Sequence, residues 1–153
     1  MGRFTKVSKA EPTGSGRYFL EGNHDVEIEE IKAFESQNGE GLVVVVEAKC
    51  LGSTNKAMEI GGTYAMVLKL EKHKSAPANL AAFMVELVPL MADGEVYPED
   101  AAEREVILEA VTDEKTQPAR GTHMRVEAWN VKTKAGADFT KLRWCEPKAA
   151  SAA

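Results

Sequence analysis

The sequence predicts a mainly β domain in the order β-β-β-α-α-β-β. Three observations carry that reading. Apolar and polar residues alternate at period 2 in four segments, and a fifth, Leu42 to Val46, is an unbroken apolar, β-branched-rich run. Helical spacing of apolar residues is confined to the stretch between Leu80 and Val111. Gly, Asn and Pro clusters separate these segments where turns are needed.

The first strand starts at Asp25, with Val26 and Ile28 alternating against Asp25, Glu27 and Glu29. Glu30 then falls where an apolar residue is due, and Ile31 and Ala33 resume the pattern one place late. A β-bulge near Glu29–Glu30 accounts for the slip and bends the strand. Asn38-Gly39 is a hairpin turn leading into Leu42–Val46, a run suited to a central strand covered on both faces. A loop from Gly52 to Gly62 precedes the third strand, Thr63 to Glu71, with Tyr64, Met66, Leu68 and Leu70 on one face.

Ser75 can cap a helix, and Pro77 is tolerated in its first turn. Leu80, Phe83, Met84, Leu87, Val88 and Met91 form its apolar stripe, and Pro89 should kink or end it. A second helix spans about Pro98 to Val111. Glu99, Asp100 and Glu103 favour its start, and Val106, Ile107, Ala110 and Val111 are its expected packed side. Met124, Val126 and Ala128 then alternate with Arg125, Glu127 and Trp129. Phe139 to Cys145 closes the domain, with Leu142 and Trp144 on one face and Phe139, Lys141 and Arg143 on the other. The turn between these two strands centres on Ala135-Gly136.

Residues 1–17 lack apolar periodicity, carry a net charge of +3, and read as a flexible basic arm. Residues 18–147 are the domain, and residues 148–153 an Ala/Ser tail. At 153 residues, 44% hydrophobic and 28% charged, the chain has the composition of a globular protein. No apolar run approaches the roughly 20 residues that span a bilayer, and no secretory signal is visible. With two cysteines, Cys50 and Cys145, a reduced cytoplasmic setting is the expectation. The net charge of −5 argues against a generic polycation. Its distribution is uneven. Residues 18–47 carry −7 and 75–119 carry −8, whereas 48–74 carry +3 and 120–153 carry +4.

A three-strand meander, a helical insertion between strands 3 and 4, and a closing hairpin is the order of a five-stranded OB-like barrel. The bent first strand fits, because it must serve both halves of such a barrel. The span from Gly22 to Pro147 also resembles a group of phage-encoded OB-fold proteins linked to single-stranded DNA. The likeness lies in Gly22-Asn23-His24-Asp25-Val26-Glu27-Ile28, in the run from Gly39 to Ala48, in Ser75 to Phe83, and in Lys132 to Trp144. The resemblance implies a role in phage DNA replication or recombination, in the host cytoplasm. One departure is the Lys-Ala-Ala-Ser-Ala-Ala end, where replicative binders commonly carry an acidic tail.

Single strands are held by a basic groove with aromatic platforms on which bases stack. On the barrel reading, the candidates are Lys49 on the second strand, and Tyr64 and Lys69 on the third. Arg125 and Trp129 follow on the fourth, Lys132 and Lys134 beside the last turn, and Phe139, Lys141 and Arg143 on the fifth. The acidic first strand and helices are expected to lie elsewhere. Tyr64, Trp129 and Phe139 can equally be core residues, and one missed bulge would reverse the face of Trp129.

Catalysis has no support in these residues. There is no phosphate-cradling loop, no nucleophile elbow, and no Cys/His spacing suited to zinc. A site assembled from His24, His123 and a cysteine would need tertiary structure to bring them together. The expected function is non-catalytic single-stranded DNA binding without metal or cofactor, with homo-oligomerisation open. The rival reading is a non-enzymatic protein-interaction module, such as a virion or replisome accessory factor, using its acidic helices as the contact surface.

Overall fold

The computed structural model describes residues 17–36, 39, 41–92, 95–132, 136 and 138–147, the side chains of Asp138 and Phe139 excepted. Six strands and two helices follow one another: β1 Arg17–Tyr18, β2 Gly22–Glu35, β3 Leu42–Ser53, β4 Thr63–Lys69, α1 Ala76–Met91, α2 Ala101–Val111, β5 His123–Lys132 and β6 Asp138–Cys145. The strands form one mixed sheet in the order β1-β4-β3-β2-β5-β6, curled into a half-barrel. Five strands were expected. The sixth is β1, which pairs in parallel with the outer edge of β4. Two residues are too few to register any periodicity, and β1 straddles the boundary between what reads as the arm and the domain; the rest of that arm and the tail from Lys148 lie outside the described residues.

The path is a Greek key. β2, β3 and β4 form an antiparallel meander, and β5 returns to pair with the free edge of β2. Two register shifts, at Asp25/Val26 and at Ile28/Glu30, interrupt the β2–β3 ladder. The second is where the sequence alternation slips. Beyond Glu27, β5 no longer pairs with β2, and the loop after α2 takes its place. Gly121 donates to the Ile28 carbonyl and Ile28 donates to the Thr122 carbonyl, both at 2.8 Å. The buried Gln117 side chain accepts from the Ile31 N–H at 2.8 Å and donates to the Ile31 carbonyl at 3.0 Å. Its amide thus presents the donor and acceptor that a neighbouring strand would supply.

The concave face holds the main core. Val26, Ile28, Val44, Val46, Tyr64, Met66, Met124, Val126 and Trp144 point inward. α1 lies against β4 and β6, with Leu80, Phe83, Met84, Leu87 and Val88 buried, as the sequence stripe predicts. Phe83 meets the Trp144 ring edge-on at 4.8 Å between centroids, and Phe19 meets it similarly at 5.6 Å. The Trp144 indole N–H points at Met66 Sδ, 3.2 Å away, which ties β6 to β4 across the curl. α1 continues past Pro89 for two residues before ending.

α2 differs from expectation. Arg104, Ile107, Leu108 and Val111 form its inward side, whereas Ala110 and Val106 face out, the latter 67% exposed. Apolar residues lie at 106, 107, 108, 110 and 111, so two stripes of helical spacing compete and composition does not choose between them. Its N-cap is Asp100, whose carboxylate accepts from the Glu103 N–H.

A second, smaller apolar cluster lies on the convex face of β3 and β4: Val43, Val45 and Ala65, with Phe34 and Val67 against them. β3 is therefore covered on both faces, as its β-branched run predicts. Among the described residues, no helix is long and apolar enough to cross a membrane.

Candidate nucleic-acid interface

The β5–β6 hairpin is read by parity. Met124, Val126 and Ala128 on β5 and Trp144 on β6 are buried in the concave core. Period-2 alternation then sends His123, Arg125, Glu127 and Trp129, with Lys141, Arg143 and Cys145, to the convex face. Arg125 lies opposite Cys145, Glu127 opposite Arg143, and Trp129 opposite Lys141. Trp129 is 41% exposed, so its face assignment from the sequence holds, and it lies outside the core.

The other candidates divide. Lys49 is half-buried on β3, on the same convex face but separated from β5 by β2. Lys69 is half-buried at the far end of β4, opposite Val43, where β2 no longer touches β5. Lys132 is exposed at the end of β5, paired in register with Asp138. Lys134 and the side chain of Phe139 lie outside the described residues.

Tyr64 is a correction. It is 3% exposed and belongs to the core. Its hydroxyl accepts the Glu59 N–H at 2.8 Å, and the Arg17 guanidinium lies over its ring at 4.6 Å. The alternation of Tyr64 with Met66 and Leu68 already placed it on an apolar face, and no base can reach it there.

The acids of the first predicted strand are a second correction. They do not lie elsewhere. β2 pairs directly with β5, which sets Asp25 opposite Arg125 and Glu27 opposite both His123 and Lys49. Glu27 Oε1 is 3.5 Å from His123 Nε2. Sequence order placed these acids in a separate block; strand pairing interleaves them with the bases.

Glu127 is the residue whose role was missed. One of its oxygens is 3.6 Å from Arg125 Nε, and the other is 3.6 Å from Arg143 Nη1. A single carboxylate thus bridges two guanidiniums on neighbouring strands. Burial pushes the Cys145 thiol above its ordinary pKa, and Glu127 pushes it further in the same direction, while Arg143 and Arg125 pull it back. The alternation Arg125-Glu127-Trp129 was the signal that put Glu127 on this face. Beyond this carboxylate, the hairpin's convex face offers Trp129, Lys141 and Arg143 to a ligand.

His24 is buried and committed to structure. Its Nε2–H donates to the Leu20 carbonyl and its Nδ1 meets the Ser53 hydroxyl, both at 2.7 Å. Ser53 also accepts from the Asn55 N–H. Gly22, at φ +130°, lets β2 begin beside this loop, where a Cβ would lie 2.8 Å from Thr54 Oγ1. Among the described residues, no three His, Cys, Asp or Glu side chains gather as a metal site. No family model matches the chain, and no curated protein matches it significantly.

Proposed function

We propose that this protein binds single-stranded DNA without catalysis, through the convex face of the β5–β6 hairpin. The observation that carries the proposal is Trp129, a large aromatic exposed on a charged strand, directly opposite Lys141 and beside the Glu127–Arg143 pair. An exposed indole next to cations is the pairing that stacks a base while meeting its phosphate. The Greek-key path supports reading β2 to β6 as an OB-like barrel opened between β4 and β6, with α1 in the gap. On this reading the protein serves phage DNA replication or recombination in the host cytoplasm.

A labelled oligo-dT strand titrated at low and at moderate salt tests the proposal. Binding should weaken with a log–log slope of about −0.7 per phosphate neutralised. Trp fluorescence should fall on binding, and Trp129→Phe should remove that signal, because Trp144 is buried against Phe83. No binding at low salt by a folded protein refutes the proposal.

A second reading, a protein-interaction module of a virion or replisome, has its own observation. Val96 and Val106 are 75% and 67% exposed, and exposed acids at Glu95, Glu99, Glu103, Glu105 and Glu109 lie close to them in the chain. That surface suits a partner with basic and apolar residues. Lys141→Glu with Arg143→Glu separates the two readings, since it abolishes strand binding and leaves α2 untouched.

A further inference from the structure

Glu127 stands where a phosphate would be drawn. Its two oxygens are each 3.6 Å from a guanidinium, Arg125 on one side and Arg143 on the other. Asp25 lies opposite Arg125 across the β2–β5 ladder, which adds a second negative charge near that end. The two arginines are therefore already compensated before any ligand arrives. An incoming phosphate gains only the difference between its own attraction and that of the carboxylate it displaces. A base stacking on Trp129 meets no such competitor, because the indole is exposed and its cross-strand neighbour is Lys141.

We propose that Glu127 is a built-in competitor for phosphate, which makes binding at this face depend on a base stacked on Trp129 and rejects polyanions that carry no bases. The inference rests on the single-stranded DNA reading and adds a selectivity to it. Stacking of one base contributes from about fivefold to over a hundredfold in affinity. That is enough to carry a strand past the competing carboxylate. Inorganic polyphosphate has a denser charge than DNA but nothing to stack, so it stays excluded.

The test uses the full chain and two variants, Glu127→Gln and Glu127→Ala, each checked for an unchanged circular dichroism spectrum. Labelled oligo-dT and inorganic polyphosphate are titrated at two salt concentrations. The native protein should bind oligo-dT and take up polyphosphate at least about tenfold more weakly. Both variants should tighten oligo-dT by about three- to tenfold, the range expected for releasing two partly exposed ion pairs. Their log–log salt slopes should steepen by about 0.7 for each guanidinium that gains a phosphate. Polyphosphate should gain more than oligo-dT, since it can meet both released arginines at once. Unchanged affinity in both variants, with oligo-dT still bound by the native protein, overturns the competitor role alone. Equal binding of polyphosphate and oligo-dT by the native protein overturns it too. Failure of the native protein to bind oligo-dT at low salt removes the DNA reading and the competitor role together.

Discussion

The convex face of the sheet is built in two ways. Over β3 and β4 it is apolar, with Val43, Val45 and Ala65 buried and Phe34 and Val67 packed against them. Over β5 and β6 it is charged, with Trp129 a large apolar side chain left exposed there. Both halves share the same backbone pairing and the same concave core. The difference shows that side-chain alternation alone does not tell a structural face from a recognition face. What separates them is whether the outward residues find cover. Val45 is 1% exposed and serves packing, whereas Trp129 keeps much of its ring in water and is available to a ligand.

The sharpest way to break this comparison is to place the same kind of charge in each half. Val45→Asp puts a carboxylate into the covered half and should cost about 3–5 kcal/mol, enough to abolish or nearly abolish folding. A urea melt measures it, and a loss below about 1 kcal/mol would show that the β3–β4 face is not a true second core. Lys141→Glu with Arg143→Glu reverses charge in the open half. It should leave stability within about 1 kcal/mol, as exposed charges do, and weaken oligo-dT binding by about a hundredfold or more at low salt.

The two tryptophans refine the contrast within one hairpin. Trp144→Ala empties a site flanked by Phe83 and Phe19 and should cost about 3–5 kcal/mol in stability. Trp129→Ala should change stability by less than about 1 kcal/mol and instead remove about 1–3 kcal/mol of strand binding. Equal effects of the two on the urea midpoint would refute the division. The smallest expected effect concerns pH. Burial raises the Cys50 thiol, with Asp25 adding to the rise and a backbone hydrogen bond at Gly52 opposing it. In the unfolded chain that thiol ionises first, so the unfolded state holds fewer protons and stability declines as pH climbs past the ordinary thiol range. Cys50→Ser or Cys50→Ala should flatten that decline in melts taken across alkaline pH.

Much of this architecture was legible in the residues, and the exceptions have physical causes. The slip at Glu29–Glu30 marked a bulge because alternation is strict and any break in it has to be absorbed by the backbone. The α1 stripe was legible because six apolar residues fall on one side and outnumber Val85, the large apolar residue on the exposed side. α2 was misread because Val106 and Leu108 offer rival stripes, and only the position of β2 and its loop decides between them. β1 could not be seen, since two residues define no period. At the candidate site, the hairpin parity gave Arg125, Trp129, Lys141 and Arg143 their common face. Asp25 and Glu27 beside them were not legible, because which strand neighbours β5 is a property of the chain's return path and not of either strand's composition.

Gln117 carries a consequence for how the chain survives its own synthesis. Past Glu27, the margin of β2 that β5 abandons is a row of peptide groups that could template another molecule's strand. A side-chain amide and the turn around Gly121 occupy that row instead. Because the amide is fixed to the loop that follows α2, the row stays open until that loop docks. Gln117→Leu would fill the same space without a donor or acceptor. Its expected mark is aggregation during refolding at concentrations where the native chain stays clear, because the Ile31 peptide groups then stay unpaired even after the loop docks.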